Sequence, residues 1–414
     1  AAYTMRYHPA SRANLLAEVI VVACIFRPPG YHVGMDGGLI NVEVFLGAAP
    51  LLELRLVEGL LAFGDTHPQW RFSLRGPDVR YTPEWLEQQK VRGALVLVSA
   101  DSVAPALDAA GIPWVHLLPP EPQSHPAVTV DDYAIGRMGA EMYLDCGFRK
   151  FAFCGVNTPW SAVRGRGFRE RLMEEELDCD MLDIRFDTGT GWTLAAGADE
   201  TLRDWLSRLK RVTAIMAGHD ALANRLADLC RQEGIRVPDD LAILGVGNHE
   251  LLCRLSPPPI SSIDCAVPEV AKRGAELLEA MLLKHSYPPG ITVAPRRVVA
   301  RHSTDVLGFE NDLINRMVRH IRDHACDGLT AEALARRFPV SRRTLSRRFQ
   351  EYVGHPPGEE IRRTRLRQAR RLLTETDLSL TEIAMACGFA DLSHMDRSFR
   401  SALGITPGSV RQGL

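Results

Sequence analysis

The chain has 414 residues, 46% of them hydrophobic, with 49 Lys and Arg against 51 Asp and Glu, which is enough apolar content for two or three cored domains and excludes a disordered or fibrous polymer. Its nine cysteines are scattered, odd in number and free of any CxxC pair, which argues against a disulfide framework or a cysteine zinc site and for a reducing cytoplasm. The net charge of −2 hides an asymmetry: from Asn311 onward there are 18 arginines, no lysine and 12 carboxylates, so a basic tail follows an acidic body, as expected of a phosphate-binding module joined to something that does not touch nucleic acid.

Residues 1–38 show neither a sustained period nor a domain signature. The apolar run 19–26 is too short to cross a bilayer, and Arg27-Pro28-Pro29-Gly30 follows it instead of a small-residue cleavage site. This stretch reads either as a plain extension or as sequence upstream of a start at Met35. From Asn41 strands and helices alternate: strand 42–46, helix 51–63, strand 70–74, helix 83–89, strand 94–98, helix 103–110 and strand 114–117. After Asp131-Asp132 come helix 134–146, strand 151–154, helix 165–177, strand 184–186, helix 195–209, strand 214–217, helix 221–233 and strand 242–246. Short apolar runs between amphipathic segments predict doubly wound parallel sheets, and two sets of them predict two α/β lobes. Pro257-Pro258-Pro259 reads as a rigid extended spacer leading into Ile260-Ser261-Ser262-Ile263 and helix 267–283.

The basic tail changes period. Helix 329–338, the turn Pro339-Val340-Ser341 with Ser341 as N-cap, and helix 342–352 form one helix-turn-helix. An arginine-rich helix over 360–373 leads to helix 380–386, a turn at Gly388, and helix 391–402. Ser393, His394 and Arg397 then face outward while Leu392, Met395 and Phe399 pack inward; in the first motif Arg342, Arg343, Arg347 and Arg348 face outward around Leu345 and Phe349. Short polar side chains and arginines on a protruding helix suit the major groove. A rigid connecting helix would set the two motifs into successive grooves roughly 34 Å apart.

Ile383, Ala384, Cys387-Gly388-Phe389, Ser393, Arg397, Phe399, Gly404, Thr406-Pro407 and Arg411 together resemble the AraC/XylS type of transcription regulator. The chain departs from that pattern at Met395, where an aromatic residue is usual, and at Asp396, a carboxylate among DNA-facing positions. The resemblance implies DNA contacts from Ser341, Arg342, Arg343, Thr344, Arg347, Arg348, Arg363, Ser393, His394 and Arg397. Asp131-Asp132-Tyr133, Gly147 to Phe153, Arg164 to Phe168, Ala217 to Ala223, Val237 to Ala242 and Ser261-Ser262-Ile263, in that order, resemble the effector domain of LacI-type regulators. That domain has a periplasmic-binding-protein-like fold whose chain crosses between lobes three times, here near Val130, Ser262 and Thr292. A LacI-like body ending in Arg301-His302-Ser303-Thr304-Asp305, joined to an AraC-type tail, is the arrangement of xylose-operon regulators.

These resemblances imply an α/β two-lobed domain over 39–304 and an all-α domain with two helix-turn-helix motifs over 305–414. The ligand candidates are Asp131, Asp132, Arg164, Asp220 and Asn248, each expected at the carboxyl end of a parallel strand, where open α/β sheets bind ligands. Where the resemblance expects an aspartate accepting from sugar hydroxyls, this chain has Gly247 before Asn248, which leaves a pentose, a hexose or a derivative open. The expected function is a sugar-responsive, sequence-specific DNA-binding regulator of a xylose or related sugar-utilisation operon. It is expected to act as a cytoplasmic homodimer on a double-stranded operator, with RNA polymerase a further partner and no membrane, cofactor, metal or catalytic residue. Two alternatives stand beside it: a constitutive DNA-binding protein with a degenerate cleft, and a sugar-modifying enzyme with a DNA-binding tail. Against the enzyme, no GxSxG elbow, HExxH, P-loop or GxGxxG after a strand is present.

Overall fold

The computed structural model describes residues 39–46, 50–76, 81–97, 103–119, 125–187, 193–209, 212–309 and 311–412; the expected extension over 1–38 lies outside them. The chain divides into two compact units, one of residues up to Met142 together with Lys150–Asp305, the other of Tyr143–Arg149 together with Val306–Leu414.

The first unit carries two lobes, each built on a six-stranded sheet. In the first lobe β1 (Ile40–Phe45), β2 (Trp70–Arg75), β3 (Gly93–Leu97), β4 (Trp114–Leu117), β5 (Ala127–Val130) and β13 (Gly290–Val293) pair in the order β13-β5-β4-β3-β1-β2, all parallel. Its helices are α1 (Pro50–Thr66), α2 (Pro83–Gln88) and α3 (Ala104–Ala109). In the second lobe β6 (Phe151–Val156), β7 (Cys179–Ile184), β10 (Thr213–Ala217), β11 (Leu241–Val246), β12 (Ser261–Asp264) and β14 (Arg297–Val299) pair in the order β14-β12-β11-β10-β6-β7, with only β14 antiparallel. Here the helices are α4 (Asp132–Asp145), α5 (Pro159–Met173), α6 (Ala198–Arg208), α7 (Asp220–Gln232) and α8 (Glu250–Leu255). Two-residue strands β8 (Phe186–Asp187) and β9 (Thr193–Leu194) form a separate hairpin. Strands β3, β6, β10 and β11 are buried at every residue, which is why they read as continuous apolar runs and not as alternations.

The chain crosses between lobes from β5 into α4 at Asp131, from β12 through Cys265 and Ala266 into α9 (Val267–Leu282), and from β13 to β14, close to the three expected points. Helix α5 begins six residues before the expected start. Gly165 and Gly167 look like helix breakers, but they sit inside it because a Cβ at Gly167 would stand 2.2 Å from the Tyr133 carbonyl oxygen and one at Gly165 2.9 Å from the Phe153 ring. Pro159 at the first helical position sets the true start. The strand expected at 184–186 is instead Cys179–Ile184. Its exposed Asp180, Met181 and Asp183 broke the apolar run, and they are tolerated because β7 lies at the sheet edge. The proline run bends, with a cis Pro257–Pro258 bond, where a straight spacer was expected.

The second unit is helical: α10 (Asp312–His324), α11 (Ala331–Arg337), α12 (Arg342–Tyr352), α13 (Pro357–Glu375), α14 (Leu380–Ala386), α15 (Leu392–Leu403) and α16 (Pro407–Gln412). The caps are local: Asn311, Thr330, Ser341 and Asp391 each accept from a first-turn N–H, and Ser379 with Glu382 makes a reciprocal capping box. Leu366, Ala369, Leu373, Ile383, Ala384, Cys387, Phe389, Met395 and Phe399 form one buried cluster, so Met395 fills a core position with no ring. Gly388 has two reasons to be glycine: its φ is +73°, and a Cβ would approach the Cys326 carbonyl oxygen to 2.6 Å.

Candidate effector cleft and nucleic-acid interface

The first unit gathers its polar side chains where strands β5, β10, β11 and β12 end. Arg164, in the second turn of α5 and so not at a strand end as expected, is the hub. Its Nε donates to Asp132 Oδ1 at 2.7 Å, its Nη1 donates to the Gly218 carbonyl oxygen at 2.7 Å, and its guanidinium lies 4.5 Å from the Trp160 ring centroid. Burial pushes the Asp132 carboxyl up from its ordinary range, against the opposing pull of Arg164. Helices α4 and α5 hold this pair by backbone contact, for a Cβ at Gly136 would stand 2.0 Å from the Arg164 carbonyl oxygen.

The other candidates divide by role. Asp131 caps α4, its Oδ1 accepting from the Ala134 N–H at 2.8 Å. Asp220 is buried, with Oδ1 accepting from the Ser262 hydroxyl at 2.5 Å and Oδ2 from the His249 N–H at 2.8 Å. Those bonds tie the segments that follow β10 and β11 to β12. Asn248 has a positive φ of 51°. Its N–H donates to Ser262 Oγ at 2.9 Å, its carbonyl accepts from Arg55 Nη1 at 2.8 Å, and its Oδ1 accepts from Arg301 Nη2 at 2.8 Å.

Three contributors escaped the sequence reading. Arg55 on α1, in the first lobe, reaches Asn248 and also Asp264 Oδ1 at 3.3 Å, so it bridges the two lobes. Arg301 was quoted only as part of a motif. His219 caps α7, its Nδ1 accepting from the Leu222 N–H at 3.3 Å, and the imidazole is held neutral by burial, then by Arg164 and His249, with its pKa down to about 3. A neutral ring that accepts at Nδ1 carries its proton on Nε2. Position in sequence gave no signal for Arg55 or Arg301, which act from distant elements, whereas His219 lies inside the run Ala217 to Ala223, beside the candidate Asp220. A separate concavity of about 340 Å3, lined in part by Arg203, Ser207, Glu233 and Asp240, opens where β11 begins, at the other end of the strand from Asn248. Among the described residues no group of three or more His, Cys, Asp or Glu is placed to hold a metal ion.

In the second unit the two recognition helices are α12 and α15. Arg343, Arg347 and Arg397 are exposed and, among the described residues, make no ion pair. Arg342 pairs with Glu332, Arg363 shares Glu359 with Arg362, and Arg348 is half-buried. Ser341 and Thr344 bond one another, hydroxyl to hydroxyl, at 2.9 Å. Ser393 is exposed, whereas the His394 ring turns back edge-on to Phe389 at 5.5 Å. The carboxylate of Asp396 is engaged by Arg400 Nε at 2.8 Å, which softens its repulsion of phosphate.

A family of periplasmic binding protein-like domains matches residues 140–304 and a helix-turn-helix domain family matches residues 334–413. The xylose operon regulatory protein of Escherichia coli K12 is 31% identical over 301 residues, 72% of this chain and 76% of that protein. The chain belongs to the family of xylose operon regulatory proteins. Members of this family are transcription regulators, and the two-lobed domain followed by paired helix-turn-helix motifs is the family's architecture. A solved structure described as the xylose-binding transcription activator XylR covers 90% of this chain and 98% of its own at 26% identity, with a TM-score of 0.55. The tail alone is also similar to the HTH-type transcriptional activator RhaS of Escherichia fergusonii, 38% identical over 118 residues, 28% of this chain and 42% of that protein. Among the described residues no helix is long and apolar enough to cross a membrane.

Proposed function

We propose that the chain regulates a xylose or related sugar-utilisation operon, with residues 39–304 binding a sugar and residues 305–414 binding a double-stranded operator. The observation that carries the reading is the Arg164 hub: a guanidinium held by Asp132 and Gly218 against the Trp160 ring. An arginine, a carboxylate and an aromatic face are the groups that fix vicinal hydroxyls and a sugar ring. Asp132, Arg164, His219 and Asn248 are the ligand contacts in this reading, with Asp131 and Asp220 positioning them. Closure about the three crossings, with Arg55 spanning the lobes, would favour one presentation of the tail over another. A homodimer acting in the cytoplasm, with RNA polymerase engaged at the promoter, completes the proposal.

Arg164→Ala tests it. An arginine bonded to hydroxyls in a closed cleft contributes roughly 1.5–3 kcal/mol, so sugar affinity should fall by about one to two orders of magnitude while operator binding stays measurable. The parent at 100 times its Kd should gain about 2.7 kcal/mol of stability. A parent that no pentose or hexose derivative stabilises would support the degenerate-cleft alternative.

A further inference from the structure

The stretch Arg301–Asp305 is where the first unit ends, and the chain enters the second unit at Val306. A single 3-10 turn over His302–Thr304 shapes this exit segment, and short side chains fasten it to the second lobe. The Arg301 N–H donates to Ser261 Oγ at 2.7 Å and the Ser303 N–H to the Pro259 carbonyl oxygen at 3.0 Å. Ser303 Oγ donates to the Ile243 carbonyl oxygen at 2.6 Å and accepts from the Ser261 N–H at 2.8 Å. Ser261 and Ser303 are fully buried. The exit segment thus rests on β11 and β12, and the Arg301 side chain extends the connection to the end of β11.

That side chain is fixed at two points: Nη1 donates to the Ile260 carbonyl oxygen at 2.9 Å and Nη2 to Asn248 Oδ1 at 2.8 Å. A planar guanidinium bonded through both terminal nitrogens cannot turn without giving up one bond. Asn248 is fixed in turn by its backbone, whose N–H donates to Ser262 Oγ at 2.9 Å and whose carbonyl accepts from Arg55 Nη1 at 2.8 Å. Its φ of 51° is a conformation that persists only where the surroundings over-determine it. Arg55 belongs to α1 of the first lobe and also reaches Asp264 Oδ1 at 3.3 Å, at the end of β12. The links are direct contacts from one lobe to the other and on to the exit segment. A shift of α1 against the second lobe either breaks the Arg55 bonds or moves Asn248. Asn248 in turn cannot move without taking the Arg301 guanidinium along or leaving it one acceptor short.

We infer that Arg301 is a positioning residue that couples the disposition of the two lobes to the exit segment, with Arg55 holding Asn248 and Asn248 holding Arg301. This goes beyond the sugar reading, because it holds for any ligand that moves the lobes.

Hydrogen exchange of the full chain, followed by mass spectrometry without added ligand, tests it. Asn248→Gly removes the acceptor and suits the positive φ; Arg55→Ala cuts the chain at its far end, in the other lobe. Each should speed exchange of the peptide covering 299–306 by about fivefold, the effect of one net hydrogen bond, and leave a peptide from α7 as in the parent. Asn248→Asp retains an acceptor for Arg301 and should exchange like the parent. So should Glu58→Ala, which removes only the 3.4 Å ion pair to Arg55 Nε. Because the two contacts act in series, Arg55→Ala combined with Asn248→Gly should exchange no faster than the faster single variant. Exchange at 299–306 that Arg55→Ala leaves unaltered overturns the inference, as does a multiplicative rise in the double variant. A rise of equal size in α7 also overturns it, since the effect is then one of global stability. If Asn248→Gly does not fold, Arg55→Ala against Glu58→Ala decides alone.

Discussion

The cleft and the recognition helices treat charge in opposite ways. In the cleft each described cation is already committed: Arg164 to Asp132 and Gly218, Arg55 to Asn248 and Asp264, Arg301 to Asn248 and the Ile260 carbonyl. On α12 and α15, Arg343, Arg347 and Arg397 stand exposed, with no ion pair among the described residues. A small ligand is discriminated by groups that cannot move, because a misplaced donor in a desolvated site costs its full hydrogen bond. A polyanion is first captured by charges left available to displace counterions, and geometry is refined afterwards. The two regions thus need different things from their surroundings: the cleft needs a rigid network, the helices only a scaffold that keeps them folded.

The largest expected effect breaks that scaffold. Phe399 is fully buried in the tail cluster, so Phe399→Ala should cost about 3–5 kcal/mol. Operator binding should collapse while ligand titration of the full chain is preserved; loss of both would show that the two regions do not depend on separate cores. A smaller effect sharpens the network side. His219 is neutral when folded, with a pKa of about 3, but titrates near 6.5 when unfolded. Above that pH neither state carries the proton and its stabilisation is complete. As the pH falls the unfolded chain takes up a proton that the folded chain refuses, and stability is lost until about pH 3. Between pH 6.5 and 5 this amounts to about 2 kcal/mol, and His219→Gln should flatten that part of the curve in denaturant titrations at a series of pH values. The smallest effects separate reading from holding. Arg397→Ala should cost about 1–3 kcal/mol and relax preference at one base pair, whereas Arg363→Ala, on the connecting helix, should weaken all sequences alike. Selection from a randomised site, performed with each variant, decides; an Arg397→Ala protein that selects the parental site makes α15 a backbone anchor.

Much of this was legible in order along the chain. The buried parallel strands announced themselves as apolar runs, and α12 and α14 fall on their expected bounds because Ser341 and Ser379 cap them with their own side chains. Strands β5, β13 and β14, of three or four residues each, were missed because so short a run has no period to detect. Helix α10 was missed as well, although Ile314, Met317, Val318 and Ile321 bury one face of it; its many charged residues masked the stripe. In the cleft, residue type pointed to Asp132 and Arg164, which the fold pairs, and to Asn248, which it bonds to Arg301. The same reasoning had no way to tell that Asp220 is consumed by Ser262 and His249, or that Arg55 arrives from the other lobe. Partnership of that kind is a property of the closed fold and leaves no trace in local sequence.

The glycine contact between α4 and α5 has a bearing on how such a regulator changes its preference over generations. Gly136 and Gly167 let the two backbones touch, and Asp132 and Arg164 ride on those same two helices. A single methyl at either position would force the helices apart and move the carboxylate and the guanidinium relative to each other, with no substitution at any ligand contact. Drift toward a new inducer therefore has a route through helix spacing, and descendants with identical cleft residues can answer to different molecules.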